Sequence, residues 1–282
     1  MPAGKKDSKK TLLCKYGVHV DNFKLDPTEK IKVFLVSHAH RDHVPSSLKR
    51  FPFPIYCSRL TATMVEHPEK FILHPDKWYE INGIKIYVFE TVHCPGSIGF
   101  FFPKYDVMYL GDTRVSTSLL KTIHSLDPGK ILYDNTHQMF EGMFPSVETS
   151  AIMLQQIISE MQISRKKKTI YLCLPHIGSI LLISLLNIKV NCDDSLKPTV
   201  RDLLHTMNLV DEDSQVTAVG MKFKGINIMP SSQYFVVNEL DPHTVLYINK
   251  NETRVFASFH AGKSELHLLS KYKLISLEFN ED

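Results

Sequence analysis

Apolar positions along the chain fall into two regimes. From Tyr16 to Asp134 they come in short runs separated by Pro, Gly, Asp and Lys. Ile31-Lys-Val-Phe-Leu-Val36, Ile84-Lys-Ile-Tyr-Val-Phe89, Val107-Met-Tyr-Leu110 and Ile131-Leu-Tyr133 are rich in β-branched and aromatic residues and predict strands. After Phe144 a helical spacing enters. Ser146 can cap a helix with Glu148 in its first turn and Ile152, Leu154, Ile157, Ile158 and Met161 on its apolar side. Thr169-Ile-Tyr-Leu-Cys-Leu174 reads as a buried parallel strand, Ser179 to Asn187 as a helix, and Pro198 as the first residue of a helix over 199–209. The last stretch predicts a strand at Arg254-Val-Phe-Ala-Ser258, a helix from Gly262 to Ser270 and a strand from Lys273 to Phe279. The pattern is α/β, and its first part suits half of an α/β/β/α sandwich. Residues 1–12 are polar and Lys-rich, and predict a disordered tail.

Composition narrows the class only slightly. The 282 residues are 43% hydrophobic and 22% charged, as in ordinary globular proteins. No uninterrupted apolar stretch reaches the roughly 18 residues of a membrane span, so no membrane association is expected. The first residues lack the apolar core of a secretory signal. Five cysteines (Cys14, Cys57, Cys94, Cys173 and Cys192) are scattered, with no CxxC pair, which favours free thiols in a reducing compartment. The net charge of +3 neither requires nor excludes a nucleic-acid partner. Two basic runs, Lys5-Lys6…Lys9-Lys10 and Arg165-Lys-Lys-Lys168, read either as solvated surface or as nuclear-targeting or DNA-touching segments.

The polar groups that end the apolar runs change the picture more. Ser37-His-Ala-His-Arg-Asp-His43 directly follows the first strand-like run. In extended chain His38, His40 and Asp42 share a face, and His43 can join them where the strand ends. Neutral imidazoles and a carboxylate are zinc ligands of the kind that leave a position open for water. Further groups stand at later strand ends: His93 after 84–89, Asp112 after 107–110, and Asp134 after 131–133. A histidine-rich loop, or for Asp42 a helix-capping carboxylate, is the plainer alternative. Trp78 and Phe100-Phe-Phe102 read as core. His19, His67, His74, His124, His137, His205, His243 and His267 read as surface or locally bonded, with His137 the one able to face the site.

The ordered blocks resemble the metallo-β-lactamase fold, more narrowly its β-CASP branch, and within it the DNA cross-link repair nucleases that include Artemis and Apollo. The resemblance rests on Val20-Asp21-Asn-Phe23, Leu35-Val-Ser-His-Ala-His-Arg-Asp-His43, His93-Cys-Pro-Gly-Ser97 and Gly111-Asp-Thr-Arg114. It continues through Tyr133-Asp-Asn-Thr136, Val219-Gly-Met-Lys-Phe-Lys224 and Ser258-Phe-His-Ala-Gly-Lys-Ser-Glu-Leu266. It implies an αββα sandwich over 13–140 and 250–282, with an inserted β-CASP α/β cap domain over 141–249. His38, His40, His93 and Asp112 would then hold a first, tight Zn²⁺, and Asp42, His43 and bridging Asp112 a second, weaker one. Two ions about 3.5–4 Å apart can clamp a phosphodiester. His260 would be the general acid, Asp134 would orient it, and Asp21 would orient a metal-bound histidine.

The implied activity is a 5′ exodeoxyribonuclease on single-stranded, overhanging or 5′-phosphorylated DNA ends. It would act in the nucleus as a monomer, with repair or telomere proteins as possible partners. An RNA-processing endonuclease and a non-catalytic scaffold are the alternatives. The chain departs from the pattern in three places. Ala261-Gly262 stands where relatives carry two serines that seat a 5′-phosphate, although Lys263 could compensate. Leu174-Pro-His-Ile-Gly-Ser179 lacks the lysine of Gly-Lys-Glu, for which His176 could stand in. Thr113 replaces a common aromatic.

Overall fold

The computed structural model describes residues 12–23, 33–136, 138, 145–164, 170–173, 177, 180–186, 188–220, 234–237, 244–248, 253–258 and 261–277. The chain divides into two compact units. Met1–Val92, Gly96–Glu141 and Ala261–Asp282 form one; His93–Pro95 and Gly142–His260 form the other.

The first unit runs through β1 (Val18–Val20), β2 (Val33–Leu35), β3 (Ile55–Ser58), α1 (Arg59–Met64) and β4 (Lys70–Leu73). It continues with β5 (Lys77–Ile81), β6 (Ile84–Glu90), β7 (Ile98–Phe102), β8 (Val107–Tyr109), α2 (Thr117–Leu126) and β9 (Lys130–Asp134). Strands β1-β2-β3-β4 make a parallel sheet in that order. Strands β5 to β8 form an antiparallel meander, joined in parallel by β9 at its far side.

Alternation along β6 and β7 explains the layers. Ile84, Ile86 and Val88, with Ile98, Phe100 and Phe102, point inward and meet Val18, Val20, Val33, Leu35 and Leu73 of the first sheet. The other face of the meander, including Phe89, Phe101 and Met108, is covered by Leu119 and Ile123 of α2. Phe34, Val36, Ile55 and Cys57 on the outer face of the first sheet pack on Leu48, Ala62 and Val65. The result is the expected helix–sheet–sheet–helix layering. Because β7 is covered on both faces, it reads as an unbroken apolar run. Burying one such side chain contributes roughly 1.5–3 kcal/mol, so the two inner faces dominate the stability of the sandwich.

Trp78 departs from its expected place in the core. It lies on edge strand β5, 46% exposed, with the Lys85 ammonium 4.6 Å above its ring. An edge strand has no further neighbour to cover its last aromatic.

The second unit contains α3 (Val147–Ser164), β10 (Ile170–Cys173), α4 (Ile180–Leu186), β11 (Asn191–Cys192), α5 (Pro198–Thr206), β12 (Val216–Val219), β13 (Tyr234–Val237), β14 (Thr244–Ile248) and β15 (Thr253–Ser258). Its sheet has the order β11-β12-β10-β13-β14-β15. The first four strands are parallel and the last two antiparallel. Ser146 caps α3 by accepting the Thr149 amide at 3.1 Å. The buried stripe of α3 is Val147, Ala151, Leu154 and Ile158, whereas Ile152, expected on it, is 58% exposed. Residues 254–258 were expected in the sandwich. They instead form β15 and pair with β14, so the return to the first unit comes at Ala261 rather than near 250. A strand's own alternation does not say which sheet it will join.

After Ala261 the chain adds α6 (Lys263–His267) and β16 (Lys273–Leu277) to the first unit. Strand β16 lies parallel to β9 and completes the order β16-β9-β8-β7-β6-β5. Among the described residues no helix is long and apolar enough to cross a membrane.

Candidate metal centre

The site is built at strand ends. Beyond β2 the chain runs through Ser37 and His38 and then turns, with the His43 and Val44 amides donating to the His40 carbonyl at 3.1 and 2.9 Å. That turn carries the His43 ring back to within 4.0 Å, centroid to centroid, of His38. The His38 and His40 rings meet edge-on at 4.8 Å. Ser37 is pinned by the Ile98 amide donating to its carbonyl at 3.0 Å, which fixes the ligand segment against the start of β7.

Asp112 follows β8 through Gly111. This glycine has φ +61, a backbone region that L side chains rarely enter, and its missing Cβ faces the ring of Tyr109 and the side chain of Ser37. His93 sits on the loop between β6 and β7. Gly96 on that loop has φ +83, and a Cβ there would lie 2.8 Å from both Leu60 Cβ and Ser58 Oγ. The Thr61 hydroxyl donates to the Gly96 carbonyl at 3.3 Å, so α1 clamps this loop. On its other side the Val92 amide donates to Thr113 Oγ1 at 2.9 Å, and the Arg114 amide to the Val92 carbonyl at 3.0 Å.

These loops bring six of the predicted ligands together. The ring nitrogens of His38, His40 and His93 lie within 4.8 Å of one another, as do the ligand atoms of Asp42, His43 and Asp112. Asp112 joins the groups: its Oδ2 is 3.8 Å from His38 Nε2 and 3.2 Å from His43 Nε2. Asp42 Oδ2 is 3.5 Å from the same His43 nitrogen.

Asp21, with φ +50, lies behind this cluster with its side chain fully buried. Its Oδ1 accepts the Ser37 amide at 2.8 Å. Its Oδ2 accepts the Ser37 hydroxyl at 2.5 Å and the Tyr109 hydroxyl at 2.9 Å, and lies 3.0 Å from His43 Nδ1. A carboxylate only accepts, so His43 carries its proton on Nδ1 and turns Nε2 toward Asp42 and Asp112. The Ser37 hydroxyl has one proton, given to Asp21. Its 2.8 Å contact with His38 Nδ1 is therefore donated by the ring, which makes His38 Nε2 the candidate ligand atom.

Electrostatics favour a cation here. Burial would lower the pKa of His43, but Asp112 and Asp21 raise it well above its ordinary 6.5. The Asp42 carboxyl is raised by burial, with further increments from Asp112 and Asp21, although His43 opposes them. Burial and the same two aspartates push the Tyr109 phenol well up, so it remains a donor. Three carboxylates around one imidazole leave excess negative charge in a buried site. A divalent cation would relieve it, and the mixed nitrogen and oxygen donors fit such an ion.

Asp134 ends β9, buried, and accepts the Thr136 amide at 3.0 Å and hydroxyl at 2.6 Å; it belongs to neither ligand group. His260, like His137 and His176, lies outside the described residues. Ser37, Tyr109, Thr113, Arg114 and Glu265 carried no expected role in the site. Buried Arg114 donates from Nε to both oxygens of Glu265 at 3.0 and 2.8 Å, tying the Asp112 loop to α6. The only signal for this pair was an opposite charge in each of two motif blocks. Ala261 and Gly262 are buried, and the Gly262 amide donates to Glu265 Oε2 at 3.2 Å.

Comparison with known proteins adds ancestry to this geometry. No family model matches the chain. It is 31% identical to the DNA cross-link repair 1A protein of Homo sapiens over 140 residues, covering 46% of this chain and 14% of that protein. The DNA cross-link repair protein SNM1 of Arabidopsis thaliana aligns over 248 residues at 27% identity, 81% of this chain and 49% of that protein. The 5′ exonuclease Apollo of Gallus gallus is 28% identical over 141 residues, 45% of this chain and 30% of that protein. This chain is similar to DNA cross-link repair proteins. It spans less than half the length of these relatives.

Proposed function

We propose that this chain is a metal-dependent nuclease that hydrolyses phosphodiester bonds in DNA, acting at 5′ ends of single-stranded or overhanging substrates in DNA repair or telomere-end processing. The observation that carries the reading is Asp112, whose Oδ2 stands 3.8 Å from a histidine of the imidazole group and 3.2 Å from His43 of the carboxylate-rich group. Such a bridge suits two ions, the first on His38, His40, His93 and Asp112, the second on Asp42, His43 and Asp112. Zinc is the ion that this donor set favours. Bound there, two such ions would polarise a non-bridging phosphoryl oxygen and bring the pKa of a water from about 15.7 to near 7.

The chain's own groups do the remaining work. Asp21 and Ser37 hold the tautomers of His43 and His38. By the resemblance, His260 would supply the proton to the departing 3′-oxygen. The second unit corresponds to the β-CASP domain that the resemblance implies. The names of the aligned relatives, DNA cross-link repair proteins and a 5′ exonuclease, support DNA over RNA and a nuclear location.

The test is digestion of end-labelled single-stranded DNA and RNA, with and without a 5′-phosphate, beside a measurement of metal content. Chelator-sensitive shortening of DNA from the 5′ end, lost in Asp42→Asn, is expected. Activity that is equal in Asp42→Asn and insensitive to chelator would overturn the reading.

A further inference from the structure

Tyr109 is fully buried between the two sheets of the sandwich, among Val20, Leu35, Phe100 and Leu132. Its ring is held by that core, yet its hydroxyl is spent on Asp21, 88 positions away in sequence, at 2.9 Å. The bond crosses between layers. Asp21, Ser37 and His43 follow strands of the first sheet, whereas Tyr109 and Asp112 sit on and just after β8 of the second. Asp112 and His43 must meet at 3.2 Å for the carboxylate-rich group to close, and each is carried by a different layer.

We infer that Tyr109 is a positioning residue for the second ion, its hydroxyl locking Asp21 and hence the His43 ring against the strand that delivers Asp112. The inference rests on the two-ion reading above. Asp21 Oδ2 also takes the Ser37 hydroxyl and lies at His43 Nδ1, so the phenol is the one donor on this carboxylate, among those described here, that comes from the second sheet. Without it, Asp21 keeps its ties within the first layer. What it loses is the cross-layer registration of Nε2 with Asp112. The imidazole group meets Asp21 through Ser37 and His38, a link within the first sheet that the phenol does not carry, so that group should keep its ion.

Tyr109→Phe keeps the ring and its packing and removes only the hydroxyl. Direct outer-shell partners of a metal ligand are worth about 10–100-fold in affinity, and Tyr109 acts one bond further out, so a loss of about three- to tenfold is expected. The experiment is a Co²⁺ titration of the full chain, followed by absorbance, for the unaltered protein, Tyr109→Phe, Asp21→Asn and the double variant. The expected result is two binding phases, with the weaker one shifted in Tyr109→Phe and the tighter one unchanged. Adding Tyr109→Phe to Asp21→Asn should cost nothing more, because one acts through the other. A merely structural role would lower the unfolding midpoint of the metal-free protein while both affinities stayed put, and that result overturns the inference. Additive losses in the double variant would overturn it too. If the unaltered protein takes up no Co²⁺, the two-ion centre itself fails and this role falls with it.

Discussion

The two ligand groups share Asp112 but differ in charge and in what supports them. His38, His40 and His93 present three imidazoles from two loops, one pinned by Ser37 and the other clamped by Gly96 against α1. Asp42, His43 and Asp112 present two carboxylates and an imidazole backed by buried Asp21, with Asp42 reaching the surface at 28% exposure. The first group is shaped by packing, the second by electrostatic strain. The difference teaches that two ions, bound as proposed, should be separable in affinity, in proton coupling and in their response to substitution.

The largest effect should come from the residue common to both. Asp112→Asn is expected to abolish the second ion and weaken the first. Cleavage should fall by more than about a hundredfold, since outer-shell groups alone cost about 10–100-fold. Metal content and rate, measured on the same sample, check this; retention of both ions would break the comparison.

Proton coupling comes next. In the metal-free protein the raised His43 pKa stabilises the fold fully below the ordinary value of 6.5, and that contribution is lost as pH rises through the raised value. Cation uptake has the opposite dependence, because it must displace the His43 proton. Affinity of the second group should therefore fall up to about tenfold per unit as pH drops through neutrality. Calorimetry in buffers of different ionisation enthalpy should show proton release in the weaker phase.

Thr113→Val tests the support of the imidazole group. It leaves the Val92 amide without the oxygen it meets at 2.9 Å and should cost about 1–3 kcal/mol of stability, read by denaturant unfolding. Smallest of all is Trp78→Ala. An exposed cation–π pair of this kind is worth roughly 0.5–1 kcal/mol, and neither ion's affinity should move.

Much of the centre was legible because its chemistry lies where short apolar runs stop. His38, His40, Asp42, His43, His93 and Asp112 each stand at such a point, and local pattern suffices to find them. The short apolar runs at 84–89 and 107–110 likewise predicted strands, which form β6 and β8. What stayed hidden depends on distant pairing. Tyr109 meets Asp21, and Arg114 meets Glu265 across 151 positions, through bonds that leave no periodic trace. Trp78 looks like core because hydrophobicity does not tell an edge strand from a central one. Strand β15 reads identically whichever sheet it joins, and only the pairing with β14 decides.

Strand β16 and helix α6 carry a consequence for how the molecule is made. Both complete the first unit, yet both emerge from the ribosome only after residues 142–260 have been synthesised. Until then β9 lacks its outer partner and Arg114 lacks Glu265. Synthesis at about 5–20 residues per second makes that wait several seconds or longer, a window in which a chaperone has an open sheet edge to guard. A transcript that ends before codon 261 would thus yield the candidate ligand loops on a scaffold that never closes.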